Sequence, residues 1–235
     1  MVFKVIGTGS SGNSYILTDG ESKLILDVGM PIKEIKRALD YDVTRIVGVL
    51  ISHVHKDHTR ALKDILNLGA IAYMNNSVKE SYECYNARSV KPFEVFGLNR
   101  DISCFAFEVP HDGVECYAYY IKWGKDRRIL YMTDLEYCPT DISGLKPTDI
   151  IVECNYCEDM VDEDAENIRH KLLGHMGLRT CKDFIGRMKH DGLQNVFLCH
   201  RGFDTSNPEE MQRVISEVVP NANVYVCEKG LEVTL

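Results

Sequence analysis

The chain has 235 residues, of which 45% are hydrophobic, and its formal net charge is −8 at pH 7. This length and apolar content suit one large core, and we expect residues 1–235 to form a single domain. The sequence contains no apolar run near the ~20 residues of a membrane span and no signal-peptide pattern, so we expect no membrane association, and its acidity disfavours a nonspecific nucleic-acid coat.

The first predicted elements surround a motif typical of dinucleotide-binding proteins. Gly7, Gly9 and Gly12 form G-x-G-x-x-G, and Asp27 follows at about the distance of the ribose-binding acid in a Rossmann fold. Such a glycine loop must open a helix, whose N-terminus holds the pyrophosphate. Here the loop is followed by β-branched and aromatic residues on both sides of an Asp19-Gly20 turn signal. This pattern predicts strand, turn and strand, which argues against dinucleotide binding.

Helices and strands follow in alternation through the rest of the chain. Helices are predicted at Pro31–Leu39, near Thr59–Leu68, over Ala165–Lys189 and at Pro208–Val218. Strands are predicted at Arg45–Ile51, Ala70–Tyr73, Ile102–Val109, Val114–Trp123, Arg128–Met132, Asp149–Glu153, Asn195–Cys199, Asn223–Cys227 and Leu231–Leu235. Two similar halves of this kind indicate an α/β fold with two sheets between outer helices, an αββα sandwich.

The nine cysteines indicate a reducing compartment. They are odd in number and scattered, which favours free thiols and a cytoplasmic protein over a disulfide scaffold. Cys154 and Cys157 form a C-x-x-C pair without a second pair to complete a zinc site. We therefore interpret them as buried thiols, with a structural metal or redox pair as the alternative.

The strongest signal for chemistry is the segment HVHKDH at positions 53–58, directly after an apolar strand. His53 and His55 are two residues apart, so an extended backbone directs both imidazoles to one side. Asp57 and His58 lie where the chain turns toward the next helix and can point at a second centre. Imidazole and carboxylate together suit zinc, manganese or iron, so the segment predicts a metal site.

Further ligands must come from distant segments, because one metal needs about four. His111, Asp134 and His200 each follow a predicted strand, where a rigid scaffold places functional side chains. In this order, HVHKDH, His111, Asp134 and His200 resemble the metallo-β-lactamase superfamily over essentially the whole chain. The resemblance implies an αββα fold with a dinuclear metal site at one edge of the sandwich.

The resemblance also implies a role for each residue. His53, His55 and His111 would hold the first metal, Asp57, His58 and His200 the second, and Asp134 would bridge them. Asp27 would orient the histidine segment without binding metal, as carboxylates behind metal ligands commonly do.

The implied cofactor is a pair of divalent ions, Zn²⁺ or Mn²⁺. The positive charge of two such ions exceeds the negative charge of the two carboxylates in the ligand set. The residual positive charge would lower the pKa of a bridging water and attract an anionic substrate. The expected chemistry is hydrolysis by a metal-bridging hydroxide, without a protein nucleophile. The cysteine ligand of some β-lactam-hydrolysing relatives has no evident counterpart here.

Several stretches resemble the YycJ/WalJ-like (VicX) branch of the superfamily. Positions 7–13 resemble its G-S-S-G-N opening, positions 153–155 its E-S-N segment, positions 174–177 its G-H-L-S element and positions 207–209 its N-x-P-E. Arg201-Gly202 departs from the leucine and serine that usually follow the last histidine of that branch.

That branch implies a nuclease with 5′-to-3′ exonuclease activity, on DNA more than on RNA. Asp57 and His175 are the catalytic candidates, and His175 would stabilise or protonate the leaving oxygen within a basic stretch from Arg169 to His190. The alternative for His175 is a helix-cap or core histidine. Ser10, Ser11, Asn13 and His175 are candidates for phosphate or substrate binding, with a plain tight turn as the alternative for the glycine-serine loop.

Two other functions use the same ligands. A small-molecule phosphodiesterase or thioester hydrolase is favoured by the charge of −8 and the compact length. A non-catalytic, metal-bound regulatory module would be expected to have lost ligands, whereas this chain retains the full set.

Overall fold

The computed structural model describes residues 1–83, 87–162 and 173–235. Its strands in chain order are β1 (Val2–Gly7), β2 (Ser14–Thr18), β3 (Lys23–Leu26), β4 (Ile46–Leu50), β5 (Ala72–Met74), β6 (Arg88–Ser89), β7 (Phe96–Gly97), β8 (Ile102–His111), β9 (Val114–Trp123), β10 (Arg127–Met132), β11 (Asp149–Glu153), β12 (Asn195–Cys199), β13 (Asn223–Val226) and β14 (Glu232–Thr234). Its helices are α1 (Ile32–Ala38), α2 (Lys56–Thr59), α3 (Leu62–Asn67), α4 (Asn76–Tyr82), α5 (Leu178–Met188) and α6 (Pro208–Val218). Short 3₁₀ turns lie at Ser143–Leu145 and Glu158–Met160.

Within these ranges the strands form two seven-stranded sheets of similar plan. The first has the order β14-β1-β2-β3-β4-β5-β6, and the second has the order β13-β12-β11-β10-β9-β8-β7. In the first sheet the pairs from β14 to β3 are antiparallel and those from β3 to β6 are parallel. In the second, the pairs from β7 to β10 are antiparallel and those from β10 to β13 are parallel. Each half of the chain thus contributes a parallel region, whose strand ends can carry a site.

Alternating side chains place each sheet between two apolar layers. On β2, Tyr15 packs between the sheets and Ile16 packs under the helices. On β10, Tyr131 packs between the sheets and Leu130 packs under the helices of the second half. Helices α1, α3 and α4 cover the first sheet, and α5 and α6 cover the second. The predicted αββα sandwich is therefore confirmed.

The glycine-rich opening is a turn between strands. Gly9 and Gly12 have positive φ values of 90° and 143°, and the chain enters β2 directly after them. Strands β2 and β3, which pair antiparallel on either side of the Asp19-Gly20 turn, confirm the strand-turn-strand prediction, and the glycine loop does not open the helix that a pyrophosphate site requires.

The helix predicted near Thr59–Leu68 is interrupted. It forms as α2 and α3, and the Ala61 amide between them donates to Val28 O at 2.9 Å instead of continuing the helix. The Asp57 carbonyl, which would have accepted that hydrogen bond, receives the Asn13 amide at 2.7 Å. Tertiary contacts from the first sheet thus override the local preference for one helix.

The helix predicted over Ala165–Lys189 falls partly outside the described residues, since positions 163–172 are not among them. The described part forms α5, at Leu178–Met188. Helix α4 was not predicted, although the Asn75 side chain caps it by accepting the Val78 amide at 2.9 Å. Among the described residues, no helix combines the length and apolarity needed to cross a bilayer.

Candidate metal centre

The seven predicted ligands converge at one edge of the sandwich, beyond the ends of strands from both sheets. His53, His55 and His111 form one group whose ligand atoms all lie within 4.8 Å of one another. In this group His55 Nδ1 is 3.0 Å from His53 Nε2 and 3.3 Å from His111 Nε2. The HVHKDH segment follows β4, whereas His111 ends β8 in the other sheet.

A second group lies beside the first. Asp57, His58, Asp134 and His200 also have ligand atoms within 4.8 Å of one another. His58 Nε2 is 3.3 Å from both Asp57 Oδ2 and Asp134 Oδ1. His200 Nε2 is 3.7 Å from Asp57 Oδ2. The two groups match the division that the family resemblance implies.

Asp134 lies between the two groups. Its Oδ2 is 3.7 Å from His53 Nε2 and 3.6 Å from His111 Nε2, and its Oδ1 faces the second group. The carboxylate is buried and follows β10 in a left-handed conformation, with φ of 50°. A carboxylate with one oxygen toward each group has the geometry of a bridge.

Asp27, which follows β3 in the first sheet, supports the cluster from behind. Its buried carboxylate lies 2.7 Å from His58 Nδ1, accepts the Ser52 amide and hydroxyl at 2.8 Å each, and accepts the Tyr131 hydroxyl at 2.6 Å. Because Nδ1 of His58 is directed at Asp27, the opposite ring nitrogen, Nε2, faces the cluster. Tyr131 belongs to the second sheet, so this contact also ties the two sheets together.

Glu153, in the second sheet, also supports the cluster from behind. It has no role in the expectations drawn from the sequence. This buried last residue of β11 places Oε1 2.7 Å from Nδ1 of both His175 and His200. Its Oε2 accepts the backbone amides of Leu135 and Met176 at 2.8 and 3.2 Å. The E-S-N resemblance at positions 153–155 was the available signal, but it carried no physical reason for a glutamate.

The pKa values of the histidines follow their surroundings. Burial lowers the pKa of His53 and of His111 below the ordinary imidazole value, which favours the neutral form that binds metals. Burial alone would also lower the pKa of His58, but the charges of Asp134 and Asp27 outweigh it and raise the pKa. For His200 the charge of Asp134 leads the interactions that outweigh burial and raise the pKa to about 10.

The carboxyl groups respond in the opposite direction. Burial would raise the pKa of Asp134, yet the charges of His200 and His58 hold it well below its ordinary value. Glu153 has a lowered pKa because the charge of His175 and its hydrogen bond outweigh burial. The carboxylates are thus ionised and need cations beside them, a need that protons or divalent metal ions can meet.

The donor set fits divalent metal ions. Two nitrogens about 2.0–2.1 Å from one zinc ion at a tetrahedral angle lie about 3.3 Å apart, close to the 3.0 and 3.3 Å separations around His55 Nδ1. Within the described part of the chain, the buried His200 Nε2 has no hydrogen-bond partner. A buried imidazole nitrogen without a partner, in a cluster of carboxylates and imidazoles, is a position that a metal ion would fill in place of a proton.

The phosphate candidates lie in two different environments. Ser10 and Ser11 are exposed at the tip of the glycine-serine loop. Asn13 is fully buried, and its side-chain amide group lies 2.9 Å from His58 Nε2 and 3.4 Å from Asp57 Oδ2, while its Oδ1 accepts the Gly9 amide. Asn13 is therefore part of the support of the cluster, and the phosphate hypothesis depends on the two serines.

His175 borders the cluster and is partly accessible, and its ligand atoms also lie within 4.8 Å of those of His111 and Asp134 and of those of Glu153 and His200. Its side chain is 13% exposed, and its ring centroid is 5.0 Å from that of His200 and 5.4 Å from that of His111. Burial alone would lower the pKa of His175, but the charge of Glu153 outweighs it and raises the pKa. In the basic stretch around it, Arg169 and Lys171 lie outside the described residues, and Arg179 is paired with Asp159 at 2.9 Å.

The C-x-x-C cysteines lie away from the ligand set as free thiols. Cys154 and Cys157 are buried, and neither belongs to a group of candidate metal ligands among the described residues. The interpretation as buried thiols is confirmed.

Fold and cluster together define a metal-dependent hydrolase of the metallo-β-lactamase type. The chain belongs to the Beta-lactamase superfamily domain family, which matches residues 25–201. It is 24% identical over 246 residues to Exodeoxyribonuclease YycJ of Bacillus anthracis, which covers 96% of this chain and 92% of that protein.

Solved structures share the fold. The metallo-beta-lactamase fold protein YhfI from Bacillus subtilis superposes with a TM-score of 0.76 at 17% identity, covering 99% of this chain and 98% of that one. Zn²⁺-bound PqqB from Methylobacterium extorquens superposes with a TM-score of 0.74 at 15% identity, with full coverage of both chains.

Proposed function

We propose that this protein is a dinuclear-metal phosphodiesterase that degrades DNA as a 5′-to-3′ exonuclease. The observation that carries the proposal is a seven-residue cluster of candidate ligands with one more histidine at its border, His175, held by Glu153 at 2.7 Å. The Bacillus anthracis relative is called an exodeoxyribonuclease and aligns over nearly the whole chain. The polarity follows the resemblance to the YycJ/WalJ-like branch.

In this proposal two divalent ions, Zn²⁺ or Mn²⁺, occupy the two groups. His53, His55 and His111 would hold one, Asp57, His58 and His200 would hold the other, and Asp134 would serve both. When bound, the ions supply activation of the attacking water and stabilisation of charge on the phosphate.

The protein's own contribution is orientation and proton transfer. Asp27 and Glu153 fix the ring orientations of His58 and His200, which keeps Nε2 of each directed at the cluster. Glu153 also raises the pKa of His175 and holds its Nδ1, so proton donation to a leaving oxygen would run through His175 Nε2. The exposed Ser10 and Ser11 offer donors to a phosphate next to the one that is cleaved.

The test uses the metal-loaded protein on four substrates: end-labelled single-stranded DNA, double-stranded DNA, RNA and bis(p-nitrophenyl) phosphate. We expect stepwise shortening of DNA from the 5′ end, absent in the matched Asp134→Ala protein. Cleavage of RNA in preference to DNA, or release of internal fragments, would contradict the exodeoxyribonuclease assignment.

A small-molecule phosphodiesterase or thioester hydrolase is the second candidate. It is favoured by the net charge of −8 and by a cavity at the rim lined by Glu108 and Glu115, since both repel a polyanion. Hydrolysis of the small ester without cleavage of any oligonucleotide would support this candidate over the nuclease.

A further inference from the structure

Phe203 projects from the rim of the cluster. Its side chain is 86% exposed, and it follows the candidate ligand His200 by three residues. Three residues of extended chain span at most about 11 Å, so the ring is within reach of a nucleotide next to the one held at the cluster. The position lies just beyond the segment matched by the family, which ends at residue 201.

The exposure of Phe203 does not come from a loose loop. Before it, the His200 amide donates to Thr8 Oγ1 at 2.8 Å and the Gly202 amide donates to Asn155 O at 2.8 Å. After it, Thr205 O accepts the Cys157 amide at 2.8 Å. The loop of residues 200–207 is therefore held by hydrogen bonds on both sides of the ring, and the ring itself remains exposed.

The Phe203 loop borders the glycine-serine loop. A side chain at Gly9 would come within 3.0 Å of Arg201 O, which shows how closely the two loops approach. The exposed Ser10 and Ser11 follow Gly9, and Arg201 donates to Ser206 Oγ at 3.1 Å within its own loop. Hydroxyl groups, a guanidinium group and an aromatic ring thus share this side of the cluster.

A second exposed aromatic residue follows another candidate ligand and serves as a comparison. Tyr137 is 49% exposed and follows Asp134 by three residues, the same spacing as Phe203 after His200. It lines a cavity of about 340 Å³ with Glu108 and Glu115, and the described residues of that lining include no cation. In the Phe203 loop, Arg201 balances the single acid Asp204. A polyanionic strand is therefore favoured on the Phe203 side.

We infer that Phe203 is a stacking platform for an unpaired base of a nucleic-acid strand whose phosphodiester lies at the cluster. The inference rests on the proposed nuclease function and adds its substrate form, a single-stranded end. Stacking on an aromatic ring is tolerant of sequence, because every base has a π face, so the site would select for strand state rather than for a base.

The experiment compares Phe203→Ala, Phe203→Tyr and Tyr137→Ala with the parent protein, all metal-loaded. The measurements are KM and kcat on single-stranded DNA and turnover of bis(p-nitrophenyl) phosphate. We expect Phe203→Ala to raise KM roughly 5- to 100-fold on single-stranded DNA, the range of base–aromatic stacking. Phe203→Tyr should restore KM, Tyr137→Ala should leave it unchanged, and all should hydrolyse the small ester at the parental rate.

A series of oligonucleotides, each with one abasic position, locates the contact. One abasic position should raise KM for the parent as much as Phe203→Ala does, and the two changes together should not add, because they remove the same contact. Additive effects at every position, or equal losses in Tyr137→Ala, would overturn the inference.

The outcomes separate this inference from the proposed function. If the parent cleaves DNA and Phe203→Ala does so with the same KM, the stacking role is wrong and the nuclease stands. If the parent cleaves only the small ester, the nuclease proposal fails and the stacking role fails with it.

Discussion

Asp27 and Glu153 occupy equivalent places in the two halves of the molecule, but they have different neighbours. Each is a buried carboxylate at the end of a parallel strand, and each holds Nδ1 of one candidate ligand at 2.7 Å. The other partners of Asp27 are Tyr131 of the second sheet and Ser52, whose hydroxyl also lies 3.0 Å from His53 Nδ1. Glu153 instead holds a second imidazole, His175, that is partly exposed.

Because of this difference, we expect substitutions near Asp27 to lower mainly the free energy of unfolding and substitutions near Glu153 to lower mainly turnover. The Asp27 side joins the two sheets and holds one candidate ligand directly and a second only through Ser52, so changes there should affect folding most. The Glu153 side positions a ligand and a proton donor with a single oxygen, Oε1, so changes there should affect turnover most. The predictions below test this division, beginning with the ligands that both sides serve.

Removing a cluster residue should have the largest effect. Asp134→Ala or His58→Ala should lose one metal and reduce turnover by more than the roughly 10²- to 10⁴-fold that a general acid contributes. Metal content by elemental analysis and activity on DNA measure the two effects. Full metal content together with unchanged hydrolysis would refute the ligand assignment.

Removing His175 should give the next largest effect. His175→Ala should lower kcat by roughly 10²- to 10⁴-fold with metal retained. The loss should be much smaller for bis(p-nitrophenyl) phosphate, because nitrophenolate leaves without needing a proton. Loss of metal from this variant would show that His175 is a ligand.

Glu153→Gln should have an intermediate effect. A carboxylate that orients metal-bound histidines is worth roughly 10- to 100-fold in affinity or activity, so we expect a fall in kcat of that size. The pH dependence of kcat should also change, because the Glu153 charge raises the pKa of His175 in the parent. An unaltered pH profile would argue against proton transfer by His175.

Tyr131→Phe should have the smallest effect on turnover and a clear effect on stability. The variant removes the 2.6 Å hydrogen bond to Asp27, and hydrogen bonds to charged groups contribute about 1.5–3 kcal/mol. Denaturant unfolding measures the free energy of unfolding, and activity should stay within about tenfold of the parent. A larger loss of activity than of stability would contradict the division between the two sides.

Much of the architecture was predictable because its signals are local. Strand Asn195–Cys199 and helix Pro208–Val218 have the predicted bounds, since polar residues mark the strand ends and Asn207 caps the helix. The seven candidate ligands could be proposed from the sequence because four lie in one segment and the others follow strands, and the structure brings them together.

The remaining features depend on contacts between distant residues. In the sequence, Glu153 is indistinguishable from an ordinary residue at the end of a strand, because its partners His175 and His200 are 22 and 47 positions away. The positive φ values of Asp27, Asp134 and His200 carry no sequence mark beyond residue types that tolerate them. The break between α2 and α3 follows from a backbone contact to Val28.

The hydroxyl of Tyr131 connects the interior of the sandwich to the candidate metal ligand His58 through Asp27. Because this group crosses from one sheet to a carboxylate of the other, an ion bound at His58 Nε2 would polarise the imidazole and strengthen its Nδ1–H hydrogen bond within the Asp27 network. Binding of metal at the cluster should therefore slow amide hydrogen exchange in the buried strands β3 and β10.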